Sequence, residues 1–187
     1  MNSCENYAWL MDVTEKILLP FIVGALSYII FRGLDENKKR KNSSLLGVII
    51  LRSLLEEVNT GIDIIKSNLD NKDVRLHNMP SASWINVNTI PDEVLLRIIV
   101  VSKSVKSDGD FHPKDIRSHT KNYFEHMCVT WRNDVRIAAE ANQNGLPIPA
   151  RLNETAKVFE RPAEHVKILL EQTIQLLESN SVKWFPK

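Results

Sequence analysis

The sequence predicts a mainly α protein: a single N-terminal transmembrane helix followed by an α-helical bundle of about four helices. Three observations carry this reading. An uncharged run of fifteen residues, Ile17 to Phe31, lies close to the N-terminus. A strongly basic segment follows it directly. Beyond residue 42 the apolar residues recur with helical spacing in several segments separated by Pro- and Gly-containing connections. At 187 residues, with 43% hydrophobic and 25% charged content, the chain has the composition of a globular domain with an appendage rather than of a disordered one.

The apolar run ILLPFIVGALSYIIF carries only Ser27 and the Tyr28 hydroxyl as polar groups. Fifteen helical residues reach roughly 22 Å, short of a ~30 Å hydrocarbon core. Extension to Leu34 gives about 27 Å, with the Arg32 guanidinium reaching back toward the headgroups. Tyr7 and Trp9 stand where amphipathic rings favour the interface. Pro20 falls in the first turn, where its missing N–H is not needed. Residues 1–16 carry Glu5, Asp12 and Glu15 against Lys16 and lead to no small-x-small cleavage site, which argues against a secretory signal peptide. The competing reading is a buried helix of a soluble core.

Residues 32–41, RGLDENKKRK, hold five basic and two acidic residues. Arg32, Lys38, Lys39, Arg40 and Lys41 are therefore the candidate topology and lipid-contact residues. Basic after the span and acidic before it place the C-terminal side in the cytoplasm. The organisation expected is an extracytoplasmic tail at 1–16, a transmembrane helix at 17–34, a basic juxtamembrane linker at 35–42 and a cytoplasmic helical domain at 43–187. This is a common bacterial layout, and the expected location is the inner (plasma) membrane.

Within 43–187, Ser43 and Ser44 can cap a first helix. Val48, Leu51, Leu55, Val58, Ile62, Ile65 and Leu69 follow heptad spacing along it. The flanking positions lack paired opposite charges, and Leu45, Ile49, Ile50, Leu54 and Ile64 widen the apolar surface, which favours packing inside a bundle over a coiled-coil dimer. Residues 70–88 read as a connection docked by Trp84. Thr89 caps a second helix with Pro91, Asp92 and Glu93 in its first turn, ending near Lys106. A third runs from Pro113 to about Gln143 with Ile116, Thr120, Phe124, Met127, Cys128, Trp131, Val135, Ala138 and Ala139 on one stripe, closed by Asn144-Gly145. Asn153 can cap the last segment, in which Pro162 is expected to kink the helix or begin a new one.

Charge and motifs exclude several functions. A net charge of +1 lacks the footprint of a dedicated nucleic-acid binder, so no nucleic-acid partner is expected. Cys4 and Cys128 are the only thiols, too few for a disulfide framework or a cysteine zinc site. Glu-x-x-His, His-x-x-x-His, Cys-x-x-Cys, Gly-x-Ser-x-Gly and the P-loop pattern do not occur. No catalytic, cofactor-binding or metal-binding residue is assigned, no cofactor is expected, and no small-molecule substrate is identified. The balance leans away from an enzyme.

His112, His119 and His126, spaced by seven, fall on one polar face but about 10.5 Å apart along the axis, too far to share a metal. With Trp184 and Phe185 they form the candidate interaction surface. Cys128 reads as a core thiol. The function expected is a membrane-anchored cytoplasmic helical module that recruits or regulates a protein partner, or self-associates. The alternative is a membrane-acting effector of the stress or antiviral-defence type whose helical domain controls assembly of the span. Its partners would be the lipid bilayer and a protein.

Overall fold

The computed structural model describes residues 19–70, 76–80, 90–103 and 112–181. Among them are four helices and no strand. Helix α1 is Leu19–Asp70 and α2 is Asp92–Ser102. Helix α3 covers 116–143 in three parts: an α-helical Ile116–Lys121, a π-helical turn Asn122–Met127 and an α-helical Cys128–Gln143. Helix α4 is Arg151–Ser181. The chain divides into two compact units, Met1–Asn42 and Ser43–Lys187.

In the first unit, α1 begins with a thirteen-residue apolar stretch that ends at Phe31, before Arg32, Asp35 and Glu36. Thirteen residues rise roughly 20 Å, well under a ~30 Å bilayer core. Accordingly, no helix among the described residues is long and apolar enough to cross a membrane. Ile17 and Leu18, which open the expected 17–34 span, and the expected tail 1–16 lie outside the described residues. Residues 35–42, expected as a linker, are helical. Their polar sequence is held in register by ion pairs one turn apart, Lys39 to Asp35 at 2.8 Å and Arg32 to Glu36 at 3.3 Å.

The second unit is a helical bundle. Its core draws Leu51, Leu54, Val58, Ile62 and Ile65 from α1, with Val94, Ile98 and Val101 from α2. Helix α3 gives Ile116, Tyr123, Phe124, Met127, Cys128, Trp131 and Val135, and α4 gives Leu152, Ala156, Val166, Leu169, Leu170, Ile174 and Leu177. Met79 and Ile90, from the described parts of the α1–α2 connection, close the set. Most of the sequence stripes on α1 and α3 lie in this core; Val48, Leu55, Leu69 and Ala139 are only half-buried, and Leu54, expected on the flank of the α1 seam, is fully buried. Ion pairs on the rim, Arg52 to Glu178 and Lys66 to Glu164, each at 2.6 Å, join α1 to α4.

Three local expectations are corrected. Ser43 and Ser44 cap nothing, because the helix continues through them; both are buried, and Ser44 Oγ accepts a hydrogen bond from Arg97 Nε at 3.0 Å. Pro162 does not begin a new helix, because α4 runs through it as one element; of the two outcomes expected of it, the restart is excluded. Pro162 and Val158 are both exposed, so the carbonyl that loses its N–H partner faces water. Asn153 is not the cap of α4, which starts two residues earlier at Arg151.

The end of α3 follows expectation. Gly145 has φ 69°, the Leu146 N–H reaches the Ala141 carbonyl at 2.9 Å and the Gly145 N–H reaches Asn142 at 3.1 Å. This is the Schellman arrangement, which requires a left-handed residue where glycine stands. Trp84, Thr89 and the Ser107–Asp110 turn lie outside the described residues.

Candidate functional site

Among the described residues, the part of α1 in the first unit carries a dense set of exposed apolar side chains. Phe21, Val23, Leu26, Tyr28, Ile29, Ile30 and Phe31 are all exposed, Phe21 at 75% and Phe31 at 71% of full accessibility. At about 100° per residue these positions surround the helix rather than marking one stripe. An apolar stripe on one side packs on a core, whereas a helix apolar all round is covered completely, by protein or by lipid.

Immediately beyond, the basic residues sort into two groups. Arg32, Lys39 and Arg40 engage the only acids of the segment: Arg32 and Arg40 meet Glu36, at 3.3 and 3.8 Å, and Lys39 meets Asp35 at 2.8 Å. The hydrogen bond from Lys39 to Asp35 and the attraction of that carboxylate hold the ammonium above the ordinary lysine value. Lys38 and Lys41 are exposed and make no ion pair with a described residue.

The three histidines spaced by seven are not equivalent. His112 is half-buried ahead of the 3-10 turn Pro113–Asp115, with its Nδ1 buried. His119 is half-buried and stacks on His165 of α4, ring centroids 5.2 Å apart and planes inclined by 21°. His126 is exposed. Their backbones differ: His112 is extended ahead of the helix, His119 lies in the α-helical part Ile116–Lys121, and His126 lies in the π-helical turn, across which constant steps of about 100° do not carry. Trp184 and Phe185 lie outside the described residues.

That same turn builds a buried polar cluster that periodicity did not find. Tyr123 and Phe124 are neighbours in sequence, yet both are buried, with their rings edge to face at 4.8 Å. The Tyr123 hydroxyl points into α1 beside Gly61 and toward Met79 Sδ at 4.0 Å. Burial raises the Tyr123 phenol above its ordinary range and pushes the Cys128 thiol up to about 12, with each group and the Glu57 charge contributing to the other's environment. A thiol held protonated in this way is a poor nucleophile and a poor metal ligand.

Asp134 is the second buried polar residue missed from the sequence. It is 3% exposed, accepts a hydrogen bond from Thr155 Oγ1 at 2.6 Å and pairs with Arg151 Nε at 2.9 Å, tying α3 to the first turn of α4. An open cleft of about 330 Å³ adjoins this tie, lined by Thr130, Arg151, Glu154, Thr155, Val158 and Phe159. The signal was present: Asp134 occupies a stripe position between Trp131 and Val135, where a charge needs a buried partner.

Among the described residues, no group of three or more His, Cys, Asp or Glu side chains could hold a metal ion. Comparison of the chain with protein-family models, with curated proteins and with solved structures gives no match.

Proposed function

We propose that the protein is a membrane-anchored helical interaction module. A single N-terminal span holds its bundle at the cytoplasmic face, where the bundle recruits or regulates a protein partner or a second copy. One observation carries the reading: the helix from Phe21 to Phe31 is apolar on all sides and exposed, and is followed within one turn by charged residues and then by Lys38 to Lys41. Burying such a surface in lipid returns about 25 cal/mol per Å² of apolar area, and the basic flank stays on the cytoplasmic side. The buried polar groups of the bundle tie its elements together, Asp134 joining α3 to α4 and Tyr123 joining α3 to the α1–α2 connection, which suits a scaffold better than a reaction centre.

A reporter fused at the C-terminus of the full chain tests the orientation. It should read cytoplasmic in the wild type and shift toward the opposite side when Lys38, Lys39, Arg40 and Lys41 are all replaced by Gln. A reporter that stays cytoplasmic in the variant would mean that other features orient the chain. Toxicity on overexpression that disappears on deletion of residues 1–34 would instead favour a membrane-acting effector.

A further inference from the structure

We infer that the helix face bearing Lys38 and Lys41 is a docking site for the anionic headgroups of phospholipids, and that Asp35 and Glu36 occupy the cations of the other face. The inference rests on the membrane reading of residues 17–34 and names the lipid chemistry that this flank selects.

The arrangement follows from helical geometry. At about 100° per residue, Leu34, Lys38 and Lys41 fall within about 60° of one another around α1. Arg32, Asp35, Glu36, Lys39 and Arg40 occupy a separate sector of about 140°. That second sector is an internally paired ladder, with contacts of 2.8 to 3.8 Å between opposite charges. Seen from a phosphate, each such pair is closer to a dipole than to a free cation. The first sector holds two exposed ammonium groups and no acid.

Position along the axis matches as well. Lys38 stands about 6 Å and Lys41 about 10.5 Å beyond Leu34. The headgroup layer begins where the ~30 Å hydrocarbon core ends and extends several ångströms outward on each side. The flexible stem of lysine lets both ammonium groups settle at phosphate level while their methylenes lie along the acyl boundary. Charge complementarity singles out an anionic phospholipid, because a zwitterionic headgroup offers its phosphate already paired with its own ammonium.

The experiment uses the full chain reconstituted into phosphatidylcholine vesicles containing phosphatidylglycerol. Spin-labelled versions of the two lipids report which one associates with the protein. Two double variants remove the same net charge: Lys38→Gln with Lys41→Gln, and Lys39→Gln with Arg40→Gln. Gln keeps the helix propensity close to that of the residues replaced. The first variant should lower the preference for phosphatidylglycerol by up to roughly thirty-fold, the factor that ~1 kcal/mol for each of the two basic residues sets. The second should lower it clearly less. Equal losses in the two variants, or no loss in the first, would overturn the inference while leaving the anchor intact, provided that the protein floats with the vesicles. Wild-type protein that does not float with vesicles at all would overturn the anchor and this inference together.

Discussion

The Tyr123 hydroxyl sits where a side chain at Gly61 would have to begin. A Cβ on Gly61 would meet the hydroxyl oxygen well inside contact distance, with the ring carbon behind it at 3.2 Å. Glycine in a helix interior costs about 1 kcal/mol relative to alanine, and here it makes room for a fully buried phenol.

Gly61→Ala should therefore destabilise the bundle by about 1–2 kcal/mol, the clash outweighing the gain in helix propensity. Tyr123→Phe alone should cost less, because the hydroxyl's partners are weakly hydrogen-bonding sulfurs, Met79 Sδ at 4.0 Å and the Cys128 thiol. The double variant should recover part of the loss, with a coupling energy of at least ~0.5 kcal/mol in denaturant titrations. Additive effects would show that Gly61 and Tyr123 do not meet in solution.

Truncation should rank with burial. Trp131 is fully buried and donates its indole N–H to the His77 carbonyl at 2.6 Å, so Trp131→Ala should cost about 3–5 kcal/mol. Leu54→Ala should cost about 2–5 kcal/mol, and Leu55→Ala, at a half-buried position, clearly less. His119→Ala should cost about 0.5–1.5 kcal/mol through loss of the His165 stack, and little in a His165→Ala background. Thermal melts of residues 43–187 read all of these; a Leu55→Ala loss as large as that of Leu54→Ala would mean the α1 phase is wrong.

Alkaline pH should unfold the bundle through its buried acids. Cys128 carries a folded value of about 12 against an ordinary 9.0. Below the ordinary value, folded and unfolded chains both keep the proton and this group contributes no pH dependence. Between the two values the unfolded chain releases a proton that the folded chain holds, so stability falls as pH rises. The phenol of Tyr123, also raised, adds a loss that begins near its ordinary 10.0. The contribution of these two groups to the stability of residues 43–187 should thus be constant up to about pH 8.5 and decline above, with the onset of the alkaline loss delayed by about one pH unit in Cys128→Ala. An identical onset in that variant would remove Cys128 from the account.

Periodicity read most of the bundle's core. The α3 stripe from Ile116 to Val135 is buried as spaced, and Gly145 ends the helix in the conformation that only glycine adopts freely. What escaped had physical causes that no single window carries. The π-helical turn at Asn122–Met127 has no composition of its own, yet it carries the buried Tyr123, and the stack of His119 on His165 joins residues more than forty positions apart in sequence. Ser43 and Ser44 have the chemistry of caps, but Arg97, more than fifty positions away in sequence, uses Ser44 as a side-chain partner inside a longer helix. Pro162 is tolerated because its lost hydrogen bond lies on the solvent face. Of the candidate surface, the grouping of Lys38 and Lys41 apart from Lys39 and Arg40 depended on knowing that residues 35–42 are helical.

Carbonate extraction of membranes from cells making the full chain, beside cells making residues 43–187, tests the anchor most directly. Alkaline carbonate strips peripheral proteins and leaves spanning helices in the pellet. The full chain should remain with the membranes and be released only by detergent, while residues 43–187 stay in the supernatant. Full-length protein recovered in the carbonate supernatant would contradict the account, and the apolar surface from Phe21 to Phe31 would then have to be covered by protein instead of lipid.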